Sequence, residues 1–156
     1  MGRKHAYEVT TTWTGNRGEG TAHYRGYDRT HQSAASGRPP IEASSDPVFR
    51  GDADRWNPEL LLVAALSQCH MLAYLHLCAV GGVVVVDYRD EASGTMAETD
   101  PGGCFTEVVL RPVVTVESDA MVDDAERLHA EASEQCFIAS SVNFPVRHEP
   151  EALVAA

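Results

Sequence analysis

The chain has 156 residues, 44% of them hydrophobic and 22% charged, which suits one globular domain able to bury a core without disulfide staples. Its formal net charge is −11, with Lys4 the single lysine, and a surface that acidic repels phosphate backbones and anionic lipid. The expectation is therefore a protein with no nucleic-acid partner and no membrane partner.

The opening MGRKHAYEVT carries basic residues but no apolar run behind them, so no secretory signal is expected. Residues 5–14 are rich in β-branched and aromatic side chains that alternate, the pattern of a strand. Gly15–Gly20 then reads as a turn and residues 20–30 as the returning strand of a hairpin. Residues 31–40 read as a turn and residues 40–44 (PIEAS) as a short third strand. The segment up to Trp56 is punctuated by Pro, Gly and Asp and keeps no period, so it reads as loop.

Residues 57–80, NPELLLVAALSQCHMLAYLHLCAV, are apolar on nearly every face, so as a helix they must be buried all round. Asn57 suits the cap, Pro58 the first turn and Glu59 the positive end of the dipole, and Gly81-Gly82 stops the helix. Gln68, His70 and His76 interrupt the apolar run, which favours a core helix over a membrane span. From Val83 to about Met96 the valines predict a strand, Asp100–Gly103 a turn, and residues 104–117 the antiparallel return. Pro112 suggests an edge position or a bulge there. Ser118 or Asp119 can cap a second helix over residues 121–136, with Ala125, Leu128, Ala132 and Cys136 at helical spacing. Residues 140–148 read as a last strand and the tail EALVAA as a disordered end or fraying turn. With no repeat and no linker, residues 1–156 are expected to form a single α+β domain, helices against antiparallel sheet. Too few strands are present to cover the central helix, so a second copy of the chain is the expected cover, a homodimer.

Four cysteines without a signal peptide imply a reducing, cytoplasmic setting, with free thiols or a transient catalytic disulfide. Cys69 and Cys78 lie on one helix about 13 Å apart along its axis, too far to pair. Cys136, at the end of the second helix, is the better partner for Cys69. By residue type alone a buried cysteine is a packing residue. His76 and Cys78 face apart at i, i+2, and His129 with Cys136 gives two ligands only, so no metal site and no cofactor are expected. His70 points about 100° away from Cys69 and reads as a satisfied core or interface histidine.

The two stretches NPELLLVAALSQCHML and EASEQCFIASSVNFPV resemble the OsmC/Ohr family of bacterial thiol peroxidases, and the element order agrees over most of the chain. In that pattern an Asn-Pro-Glu helix start precedes small residues and a catalytic cysteine, here Asn57, Pro58, Glu59, Ala64, Ala65 and Cys69, and a second cysteine, here Cys136, follows on a later helix. The resemblance implies antiparallel sheets around a buried central helix in an intertwined homodimer. It implies reduction of organic hydroperoxides, with a sulfenic acid on Cys69 resolved by Cys136 and the pair recycled by a dithiol reductant, for some relatives a lipoyl group. It also implies an arginine from the first hairpin turn, here Arg17, held by Glu59 to favour the thiolate, with Arg50 and Arg55 as alternatives. Glu59 and Cys69 are about 15 Å apart along one helix. Antiparallel crossing of two such helices at Ala64 and Ala65 would bring Glu59 of one chain to Cys69 of the other. The alternative is a relative of the same fold that binds a small molecule or serves a stress response without catalysis.

Overall fold

The computed structural model describes residues 2–156, and the chain falls into two compact units, Met1–Leu61 and Leu62–Ala156. The first holds a three-stranded antiparallel sheet of β1 (Thr10–Trp13), β2 (His31–Ala34) and β3 (Ile41–Ala43), in that order. The third strand lies where its sequence placed it, but the returning strand does not. Trp13 pairs with His31, so β2 occupies the expected turn, and residues 20–30, expected as strand, form turns.

Side chains explain the difference by taking up the backbone acceptors of this loop. Arg29 donates to the carbonyls of Tyr27 and Tyr24 and lies over both rings, and Arg17 donates to those of Gly26 and Arg25. Gly15 permits the crossing, since a Cβ there would stand 1.9 Å from the Asp28 carbonyl oxygen. A 3₁₀ turn at Pro47–Phe49, capped by the Asp46 side chain on Val48 N–H, interrupts the loop before Trp56.

The helix α1 (Pro58–Gly81) starts as its sequence dictates, with Leu60 N–H donating to Asn57 Oδ1 at 2.8 Å. It ends in a Schellman turn. Gly82 takes φ +77° and Val83 N–H reaches back to the Cys78 carbonyl at 2.9 Å. The expectation of burial on all faces fails for the single chain. Only Leu66, His70, Tyr74 and Cys78 are buried, a stripe at every fourth residue.

The second unit has two sheets, β4-β7-β9 and β5-β6-β8, built from β4 (Val85–Asp90), β5 (Ser93–Glu98), β6 (Gly103–Leu110), β7 (Pro112–Val116), β8 (Val146–His148) and β9 (Glu151–Val154). The expected hairpin over residues 83–117 exists, but each arm is broken once and contributes to both sheets. Asp90 fixes the break, accepting Arg111 N–H at 2.7 Å and the Ser67 hydroxyl at 2.5 Å. Pro112 is neither at an edge nor in a bulge. It opens the central strand β7, at the first position of a ladder where a missing N–H is tolerated.

The sheets are also mixed rather than wholly antiparallel, because β6–β8 and β7–β9 run parallel. The tail expected as a loose end supplies β9. The last strand is shorter than expected, because Ser140 and Ser141 hydroxyls bond back to the Cys136 and Phe137 carbonyls and hold a 3₁₀ turn at Ala139–Ser141.

The second helix, α2 (Val122–Gln135), follows a 3₁₀ turn at Asp119–Met121, and Ser118 makes no side-chain cap. It buries Ala125, Leu128, His129 and Ala132. Two apolar clusters result. One joins Tyr74, Cys78, Val114, Val116, Ala125 and Leu128, and the other joins Leu66, Val108 and Leu110. Along α1 the position between them is His70.

Candidate functional site

Cys69 sits half-buried in the middle of α1, and Cys136 is the buried residue that caps the end of α2. All four cysteines are free thiols. The two helices meet in reverse order, Cys69 beside Cys136, His70 beside His129 and the Tyr74 hydroxyl on the Ala125 carbonyl. The structure thus makes Cys69 and Cys136 neighbours at this seam.

Burial, and then the hydrogen bond with Cys69, push the Cys136 thiol up to about 11, against the opposing N–H groups of Ala139 and Ile138. At neutral pH Cys136 is therefore an uncharged thiol. Its Sγ also accepts Ala139 N–H at 3.4 Å, which fixes where the sulfur points. Such a pair can exchange two S–H bonds for one S–S bond when an oxidant takes the electrons.

The charged residues expected around this pair are placed differently. Arg17 spends its guanidinium on the carbonyls of its own loop and lies 3.6 Å from Asp28, not on Glu59. Arg55 is shared between Glu42 at 3.2 Å and Asp52 at 3.4 Å. Arg50 ends the 3₁₀ turn in a left-handed conformation, φ +67°. Glu59 is half-buried, and its Oε2 is buried with no hydrogen-bond partner. The ion pair expected between Arg17 and Glu59 is absent from the single chain among the described residues, because Arg17 is satisfied locally. Cys78 lies against the Tyr74 hydroxyl and burial pushes its thiol up, while Cys104 is exposed on β6.

Sequence reasoning missed a third feature of the seam, a cluster of histidines. His70 Nε2 and His129 Nδ1 are 3.0 Å apart, the His129 ring stacks on Tyr74 with centroids 3.8 Å apart, and His148 packs on His70 at 4.4 Å. The expectation of a satisfied His70 holds at its Nε2 alone, since its Nδ1, like the Nε2 of His129, is buried without a partner. Burial, with the neighbouring imidazoles, holds His70 down at about 3 and His129 at about 4. His148 is lowered by burial against the opposing pull of the Asp90 carboxylate. The signal available was that His70 adjoins Cys69 and His129 lies two turns before Cys136 on one helix face.

The profile of the OsmC-like protein family matches residues 51–151, the span that holds Cys69 and Cys136. The chain belongs to the OsmC-like family. A solved OsmC-like protein of unknown function from Vibrio cholerae is 32% identical and superposes with a TM-score of 0.85, over 94% of this chain and 99% of that one. An uncharacterised protein of Bacillus subtilis, YmaD, is 24% identical over 96% of this chain and 95% of its own length. An organic hydroperoxide resistance protein from Elizabethkingia anophelis, 16% identical, superposes with a TM-score of 0.72 over 99% of this chain and 100% of that one, a likeness of fold. The OsmC-like architecture agrees with the α+β class expected from the sequence, with the sheets mixed.

Proposed function

We propose that this OsmC-like chain is a cysteine-based peroxidase that reduces organic hydroperoxides in oxidative-stress defence. The observation that carries the reading is the Cys69–Cys136 thiol pair, one member half-exposed and the other buried beside it. The Cys69 thiolate attacks the terminal peroxide oxygen, forming an S–O bond as the O–O bond breaks; Cys69 becomes the sulfenic acid, and the alkoxide takes up a proton and departs as the alcohol. Cys136 then loses its proton and attacks the sulfenic sulfur, water departs, and the disulfide forms. A dithiol of the lipoyl type reduces the disulfide and is itself oxidised. The cytoplasm suits this cycle because it keeps resting thiols reduced.

Attack requires positive charge near Cys69, and Arg17 is assigned that role in a homodimer in which Glu59 of one chain holds the cation toward Cys69 of the other. The orphaned Oε2 of Glu59 supports a cation partner at that carboxylate. Mixing the reduced protein with cumene hydroperoxide tests the reading. Two thiols per chain should disappear, peptide mapping should place the bond between Cys69 and Cys136, and Cys69→Ser should abolish peroxide loss. A protein that consumes no peroxide in the presence of a good dithiol is instead a non-catalytic relative that binds a small molecule.

A further inference from the structure

Four rings fill the layer between α1, α2 and β8. His129 of α2 stacks on Tyr74 of α1 with centroids 3.8 Å apart, and His70 of α1 lies 4.4 Å from His148 of β8. His70 and His129 are 0% and 2% exposed, so water does not compete for their edges. Directional bonds cross from α1 to α2 at two levels, one turn apart. His70 Nε2 and His129 Nδ1 form a hydrogen bond of 3.0 Å, and the Tyr74 hydroxyl donates to the Ala125 carbonyl at 3.0 Å. The buried apolar side chains of α2, from Ala125, Leu128 and Ala132, pack without direction and would tolerate a slide of the helix.

Register matters here because of the residue on which α2 ends. Cys136 caps the helix seven residues beyond His129, about 10 Å along the axis, and neighbours Cys69 of α1. A disulfide needs the two Cα atoms within about 7 Å and the sulfurs about 2 Å apart. A one-residue slip of α2 moves its end by about 1.5 Å and turns it by about 100°. Packing alone does not explain two histidines in this layer. Their bond leaves His70 Nδ1 and His129 Nε2 buried without partners, a penalty that two apolar side chains of the same shape would not carry.

We propose that His129 is a positioning residue for the thiol pair: by holding His70 Nε2 it sets the register of α2 on α1 that keeps Cys136 beside Cys69. This role rests on the reading of Cys69 and Cys136 as the reacting pair. His129 acts through the placement of α2 and not on the peroxide itself.

Equilibration with reduced and oxidised dithiothreitol reads the placement without any peroxide, since the pair passes two electrons and two protons to the cyclic disulfide. H70L/H129L should fold, with circular dichroism like that of the parent chain. Its Cys69–Cys136 disulfide should be about tenfold easier to reduce, a potential about 30 mV higher. H129N, which places an amide where Nδ1 stood, should return the equilibrium to that of the parent. A folded H70L/H129L with the parent equilibrium, or H129N displaced as far as H129L, would overturn the proposal. Should the double variant not fold, the comparison of H129N with H129L decides alone. A parent chain that forms no Cys69–Cys136 disulfide in the buffer overturns it as well. A parent chain that forms the disulfide yet consumes no cumene hydroperoxide removes the peroxidase reading, and the role of His129 is still decided by the same equilibrium.

Discussion

His70 and His129 are held uncharged by burial and by one another, so unfolding in mild acid lets both rings take up protons they refuse in the fold. The unfolded chain titrates its histidines near 6.5, whereas the folded values are about 3 and about 4. Between those limits the unfolded state binds more protons, so stability rises with pH in this window. The contribution is complete above about 6.5 and is lost as pH falls toward 4 and then 3, on the order of 1 kcal/mol per pH unit for each ring. His148 faces the same cluster, and Tyr74, Tyr88 and Asp90 complete its polar surroundings. Asp90 alone among them favours a charged imidazole. Urea unfolding at pH 7, 6 and 5 should show the loss. His129→Leu should be less stable at pH 7, because His70 Nε2 loses its partner, yet flatter below it. An acid slope identical to that of the parent chain would place the sensitivity elsewhere.

Helices and strands were unequally legible. The start of α1 follows from Asn57-Pro58 and its stop from Gly81-Gly82, since caps are local chemistry written in adjacent residues. Cys69 and Cys136 were legible for the same reason, each in a distinctive stretch of its own. The strands failed where pairing is decided by distant side chains. Arg29 and Arg17 take the acceptors that a strand over residues 20–30 would have used, and Asp90 splits a hairpin whose valines read as continuous. The histidine cluster needs α1, α2 and β8 to converge, so no run of sequence announces it. One strand position offers a direct test. An added Cβ at Gly94 of β5 would lie 2.7 Å from the Phe105 ring and 2.8 Å from Val63 of α1. The Phe105 ring is stacked on Phe144 at 5.4 Å and has little room to turn. Gly94→Ala should therefore lower stability by about 1–3 kcal/mol in denaturant titration, through overpacking. A neutral effect would mean that β5 gives way without cost.

The apolar surface of α1 is larger than one chain uses. Its buried stripe runs from Leu66 to Cys78, and Leu72, about half a turn away, is 64% exposed. Val80 is 74% exposed on the same helix. The formal charge of −11 opposes self-association, so a dimer built on this apolar face forms against charge repulsion. Ala65 lies seven residues before Leu72, on that same face, and its small side chain lets a second α1 approach closely. Ala65→Trp should leave the core intact, since the position points away from the stripe, and should shift the chain from dimer to monomer in sedimentation velocity. Under the proposed cross-subunit site, peroxide reduction should fall in parallel, because separating the chains takes Glu59 of one away from Cys69 of the other. Circular dichroism matching the parent would exclude simple unfolding as the cause. A folded, fully active monomer would confine the reaction to a single chain and remove Glu59 of the second copy from it.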